Sequence, residues 1–506
     1  MNQTTKEKLE LVNGVLSDAD KYNHAVALIS YDMETICPPD AMEEQGELMS
    51  FLGNKLFLLI KDEKFIEAGE YLYEHRDELG EFDKALAEQL HRDYRKIKNL
   101  TPEKQLEFSR VYNKAFVDWT NARKNCDFSI FADSLQKVKE VTLEDLSLRD
   151  KDETTKNMSV MDELLNDYER GMGTKELDEC FEHCKERLIP LLKKIQASKK
   201  VIRTDFMHRK VTDEQQKKMT EYLMSVIKYD RNRGTYAFSE HPFTNLMAKD
   251  DVRITTHFYE DDFASNMYSV IHEGGHALFE MYQPAENFEH HINNEKTLGM
   301  HESVSRMYEN RIGRSKSFVH LIYPKVCEIF PEAMCDVSEE ELYEALNEVK
   351  PSLIRTEADE FTYTFHIIIR YELEKEIIAG TIDIADLPKK WNEKYEEYLG
   401  VTPTNDREGI LQDVHWSSGF GYFPTYSIGN MYNSMYYKCM DAAIDVDKCV
   451  EAGDFDKING WMKENVFKKA DRLDPADWIK DITGRDFTPD DFLDYLEEKY
   501  SKIYEL

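Results

Sequence analysis

Most of the chain carries apolar residues at a helical rhythm. Between residues 5 and 33, Leu9, Val12, Leu16, Ala19, Tyr22, Val26 and Ile29 share one side of a 3.6-residue repeat. Pro38-Pro39 ends that run. Residues 43–60, 83–98, 102–123, 129–147 and 175–198 show the same periodicity and predict further amphipathic helices. Near the C-terminus, Thr488 is placed to cap a helix, with Pro489 at its first position and Asp490 and Asp491 in its first turn. Phe492, Leu493 and Leu496 supply its apolar face. One segment departs from the rhythm. Asp251-Val252-Arg253-Ile254-Thr255-Thr256-His257-Phe258 is β-branched and alternating, which predicts a strand. Little else reads as sheet, and no repeat or linker divides the chain. The expectation is a mostly α fold, one helical domain over residues 1–506 with two lobes around a cleft.

Composition agrees with this and narrows the partners. Helix breakers are sparse, with 21 Gly and 14 Pro in 506 residues. The net charge of −34 repels nucleic acid and anionic membrane, so neither is an expected partner. The eight cysteines are scattered and do not form a disulfide framework. Cys180 and Cys184 bracket His183, but they read as thiols on a helix face. The N-terminus lacks the apolar core of a secretory signal, and no run approaches a membrane span. A cytoplasmic location is the expectation.

The chemistry centres on His272-Glu273-Gly274-Gly275-His276. Histidines four residues apart lie one turn apart on the same helix face, so both imidazoles can reach one ion. Glu273 is then the natural general base for water at that ion. Two adjacent glycines inside a helix each cost about 1 kcal/mol relative to alanine. Close approach of substrate or of another element would explain them. A third ligand is needed, and His301-Glu302-Ser303 lies far enough on to occupy a second helix. Glu302 is the preferred ligand, with His301 and Glu309 as rivals. A surface pair of Glu302 with Arg306 is the plain alternative.

These residues belong to an ordered series that resembles the carboxypeptidase Taq family of metallocarboxypeptidases, also called the thermostable carboxypeptidase 1 family. The series begins with Ser30-Tyr31-Asp32-Met33-Glu34-Thr35 and Pro38-Pro39, where Tyr31 stands in place of the common tryptophan. It continues through His241-Pro242-Phe243, Asp251 to Thr255, His272 to His276, and His301-Glu302-Ser303. Ile354-Arg355 with Ala358-Asp359 follows, then Gly409-Ile410-Leu411-Gln412-Asp413-Val414-His415-Trp416, then Phe423-Pro424-Thr425-Tyr426.

The resemblance implies a large helical zinc-peptidase fold like neurolysin and angiotensin-converting enzyme, with a deep groove and a very small sheet. It implies a homodimeric carboxypeptidase of broad specificity acting on peptides with a free C-terminus. Zinc is the expected ion, and cobalt or another divalent metal suits the same ligands: His272, His276 and Glu302. Glu273 is the expected base, and Tyr426 and His415 are the oxyanion candidates. Arg355 is expected to hold the substrate carboxylate, its plain alternative being a pair with Asp359. His241, Arg253, Gln412 and Asp413 complete the expected substrate site, and His257 is a further candidate to face substrate. His290 and His291 read as solvated loop residues, and His320 and His366 as core histidines.

Overall fold

The computed structural model describes residues 1–292, 297–470 and 472–506. The first half is a succession of helices: α1 (Gln3–Thr35), α2 (Met42–Ile60), α3 (Glu63–Glu74), α4 (Glu81–Ile97), α5 (Pro102–Asn125) and α6 (Ser129–Leu148). Then come α7 (Val160–Tyr168), α8 (Thr174–Ala197) and α9 (Asp213–Val226). A small sheet interrupts: β1 (Gly234–Phe238), β2 (Thr244–Ala248) and β3 (Asp251–Thr256). Helices resume with α10 (Phe263–Tyr282), α11 (Ala285–Glu289) and α12 (Leu298–Arg306), the last running into a π-helical stretch, Met307–Ile312. They continue as α13 (Lys316–Ile329), α14 (Glu339–Leu346), α15 (Tyr363–Ala379), α16 (Leu387–Leu399) and α17 (Pro424–Ile444). The chain ends through α18 (Val446–Glu451), α19 (Phe455–Asn465), α20 (Pro475–Thr483) and α21 (Asp490–Ile503).

The predicted helices appear within one or two residues of their expected limits. At α21 the start moves by one position: Pro489 is the cap residue, and Thr488 Oγ1 accepts from the Asp490 N–H. The predicted strand is β3. It lies at the centre of the sheet, parallel to β1 and antiparallel to β2. The two outer strands were not expected. β2 reads Thr-Asn-Leu-Met-Ala, with one β-branched residue, and its extended form follows from pairing with β3.

The largest core surrounds α10, α12, α15 and α17, whose residues are buried on nearly every face. A second, smaller core joins α1, α3 and α4 and takes in Ile292, just beyond α11. His290 and His291 flank that anchor. Contrary to the solvated reading, His290 Nδ1 lies 2.6 Å from Asp83 and His291 Nδ1 2.7 Å from Asp20. His320 is also reversed. It is exposed and paired with Glu339, whereas His366 is buried with Nδ1 on the Tyr395 hydroxyl.

Two buried carboxyls tie the central helices to their neighbours. Glu169 accepts from Tyr432 of α17 and from the Gly299 N–H of α12. Glu374 of α15 accepts from Trp416 Nε1 and the Gly421 N–H. Burial pushes both up to about 7, against the pull of these hydrogen bonds. The folded chain therefore binds more protons than the unfolded chain between the ordinary carboxyl range and about pH 7. Stability falls as pH rises through that window, by roughly 3 kcal/mol per group. Glu169→Gln can still accept from Gly299 and can donate to Tyr432. Its stability relative to wild type should therefore climb between pH 5 and pH 8, as read by denaturant unfolding at about those pH values. Parallel pH curves for the two proteins would refute this.

Candidate active site

α10 begins at Asp262, whose side chain accepts from the Ser265 N–H. It runs through the core beside α12. An added Cβ on Gly275 would lie 2.7 Å from Ser305 Cα, so only glycine lets the two backbones approach this closely. The approach expected at the glycine pair is thus made by another element. α17 meets α12 in the same way at Gly429, where a Cβ would stand 3.0 Å from Glu302 Cγ.

These contacts bring Glu302 to the histidine face of α10. His272, His276 and Glu302 each offer a ligand atom, and the three atoms lie within 4.8 Å of one another. Glu302 Oε2 is 3.4 Å from His276 Nε2 and 3.8 Å from His272 Nε2. Two imidazole nitrogens and one carboxylate, converging and mostly buried, fit a divalent cation with a coordination position left open.

The outer ring nitrogens are also engaged. His272 Nδ1 is 2.8 Å from Glu309 Oε2, and Glu309 in turn meets Arg306 and Arg314. His276 Nδ1 is 2.6 Å from His301 Nδ1. Arg306 Nε donates to Glu302 Oε1 at 2.8 Å, so the i, i+4 pair exists, but it is buried and lies beside the histidines. Burial disfavours charge on His272, yet Glu302 and Glu309 raise its pKa to about 9. Burial and the neighbouring His301 lower that of His276 to about 3. Burial opposes charge on Glu302 too, but His272 and Arg306 hold it well below the usual carboxylate range.

Glu273 is buried beside this triad. Thr244 of β2 places its hydroxyl 2.6 Å from Glu273 Oε2 and 3.0 Å from the Glu273 carbonyl. Burial raises the Glu273 pKa, which makes the carboxylate a stronger base than a solvated one.

A second group of side chains adjoins the first. Arg306 stacks on Tyr363 at 4.0 Å, and Tyr363 accepts from Arg355 Nη1. Arg355 Nε and Nη2 both donate to Asp413 Oδ1, while Arg370 Nε donates to Asp413 Oδ2. Gln412 Oε1 accepts from the Arg355 backbone N–H and from Arg370 Nη2. His415 Nε2 is 3.2 Å from the Tyr426 hydroxyl, one turn of α17 before Gly429. Burial, reinforced by Arg355 and Arg370 against Asp413, lowers the His415 pKa to about 4 and keeps the ring neutral.

Comparison with known proteins shows the family of the chain. The carboxypeptidase Taq (M32) metallopeptidase family model matches residues 12–500. The chain belongs to that family. It is a metallocarboxypeptidase, a hydrolase that depends on a divalent metal and acts on peptides. Carboxypeptidase 1 of Bacillus subtilis is 36% identical over 492 residues, 97% of each chain. Thermostable carboxypeptidase 1 of Thermus thermophilus is 34% identical over 490 residues, 94% of this chain and 95% of that one. The crystal structure of the M32 carboxypeptidase from Deinococcus radiodurans R1 covers 100% of both chains with a TM-score of 0.93 at 31% identity.

Within this metallocarboxypeptidase, the expected residues fall into three sets. His272, His276, Glu302 and Glu273 come together, and so do Arg355, Gln412, Asp413, His415 and Tyr426. His241 and Arg253 make other contacts. His241 is exposed, and its carbonyl accepts from Ser239 Oγ. Arg253 is held by Asp251 and lies over Tyr31. His257 is half-buried, with Nδ1 2.9 Å from the Ser239 carbonyl. The rival ligands His301 and Glu309 meet the outer nitrogens of the two histidines. Arg355 does not pair with Asp359, which accepts from Thr362 and Lys350 instead. Thr244, Tyr363 and Arg370 were missed. Only Thr244 had a signal, its place directly after His241-Pro242-Phe243.

Proposed function

We propose that the chain is a zinc carboxypeptidase that removes C-terminal residues of varied kind from peptides, with Glu273 as general base. The convergence of His272, His276 and Glu302 next to the Thr244-held carboxylate of Glu273 supports this most. The donor set suits zinc, and cobalt or another divalent ion can use the same atoms. Held there, the ion would supply Lewis acidity, polarising a carbonyl and acidifying water. Glu273 takes the proton of the attacking water at its carboxylate and later gives it to the leaving amine. Thr244 fixes the orientation of that carboxylate. The Tyr426 hydroxyl or His415 Nε2 donates to the oxyanion; with His415 Nε2–H donating to the Tyr426 oxygen the tyrosine proton is free to do so, whereas donation by His415 requires that mutual bond to open.

Arg355 has one N–H on Nη1 and one on Nη2 left over from Asp413 and Tyr363. In this reading they are the donors for the C-terminal carboxylate of the substrate. Gln412 and Asp413 act on substrate through Arg355 by fixing its position. Eight free thiols suit a reducing compartment, and we place the enzyme in the cytoplasm, as one domain per chain and as a homodimer in keeping with its family.

The test is timed release of amino acids from a defined peptide and its C-terminal amide, with metal analysis of the same protein. Loss of the carboxylate removes charge-assisted bonds of about 1.5–3 kcal/mol, so the amide should be cut roughly ten- to a hundredfold more slowly. Equal cleavage of the two, at internal bonds, would point to an endopeptidase instead.

A further inference from the structure

We propose that the Tyr363 hydroxyl is a second donor to the C-terminal carboxylate of the substrate, beside Arg355, and so a specificity-determining group. The inference rests on the reading of Arg355 as the carboxylate anchor. Tyr363 opens α15 and is 3% exposed. Its hydroxyl oxygen lies 3.1 Å from Arg355 Nη1. A guanidinium has donors only, so the tyrosine accepts in that bond and keeps its own proton for another partner. Among the described residues no hydrogen bond uses that proton. A buried donor without an acceptor is costly. A carboxylate on the free N–H groups of Arg355 would supply the acceptor.

The two supports of Arg355 differ in what they offer such a ligand. Asp413 takes Nε and Nη2, and Tyr363 takes Nη1. A second carboxylate is repelled by Asp413 and attracted by a hydroxyl donor. The Tyr363 ring is fixed as well. Arg306 stacks on its face at 4.0 Å, and Tyr426 meets it edge-on at 6.4 Å and 89°. Arg306 also donates to Glu302 Oε1 at 2.8 Å. Glu302, Arg306, Tyr363 and Arg355 thus form one continuous chain of contacts. An enzyme that removes single C-terminal residues needs its carboxylate site one residue away from the bond it cuts. One residue spans about 3.8 Å between Cα atoms. Tyr363 bridges the two ends of that short interval, with its hydroxyl on the anchor and its ring on the partner of a metal ligand.

The test is steady-state hydrolysis of one peptide and its C-terminal amide, with metal content measured on each preparation. Tyr363→Phe keeps the ring under Arg306 and against Tyr426 and removes one oxygen. We expect kcat/KM on the free acid to fall about tenfold or more. The loss should lie in KM, because the carboxylate is bound alike in the ground and transition states. The preference for acid over amide should fall about tenfold with it. Affinity for the same two peptides, read on a Glu273→Gln background, should show the same change. Arg355→Ala should lose that preference too. A wild-type preference in Tyr363→Phe, beside its loss in Arg355→Ala, would overturn the donor role and leave the anchor standing. So would equal losses on the two peptides, or a loss confined to kcat, either of which belongs to a purely structural tyrosine. A preference that survives Arg355→Ala would overturn the anchor reading itself, and this proposal with it.

Discussion

Glu273→Gln is expected to cut turnover by roughly 10²- to 10⁴-fold, the range for loss of a positioned general base. The amide is close in size to the carboxylate and still offers an oxygen to the Thr244 hydroxyl, so the fold of α10 should be kept. It is not one of the three converging donors, so bound metal should be kept as well. The loss should fall on kcat with KM little changed, because the lost proton transfer belongs to the transition state. Steady-state kinetics and metal content on one preparation are the measurement. Wild-type-like turnover with full metal occupancy would remove Glu273 from the mechanism.

Asp413→Ala should destabilise the fold by about 3–5 kcal/mol, as removal of one partner from a buried ion pair does. Asp413 lies between Arg355 and the fully buried Arg370 and binds each with a different oxygen. Both guanidiniums hold it far below the ordinary carboxylate range, against the effect of burial. Alanine would leave two buried cations facing each other across a gap. Asp413→Asn keeps an acceptor for one arginine and should lose less. Chemical denaturation of the metal-free chain reads both. A loss below about 1 kcal/mol in the alanine variant would mean that water reaches the arginines and replaces the carboxylate.

Local periodicity made the helices legible, and the spacing of His272 and His276 made a metal face legible, because both are properties of one continuous segment. Glu302 is legible as the third donor that a second helix can bring to that face. What escaped depends on tertiary contact. Thr244 matters because β2 passes under α10, and nothing in Thr-Asn-Leu-Met-Ala signals a strand. Arg370 sits in the apolar run of α15, and its partners Gln412 and Asp413 are some forty residues away. His301 and Glu309 carry the right donor atoms for a metal, and only packing decides that they meet the far side of each imidazole. His290 and His291 looked solvated because their acidic partners lie on α4 and α1, far back in the chain.

The contact of Gly275 with the Ser305 backbone bears on how the site treats different ions. With two main chains already touching, α10 and α12 cannot draw closer around a small cation. Dense packing about them, with Gly429 closing the far side of Glu302, resists widening for a large one. The spacing between the ligand helices is thus a fixed gauge, and ions of different radius must meet it through small side-chain adjustments. Exchange of one divalent ion for another would then change reactivity through the ion's own acidity and coordination preference, with the helices unmoved.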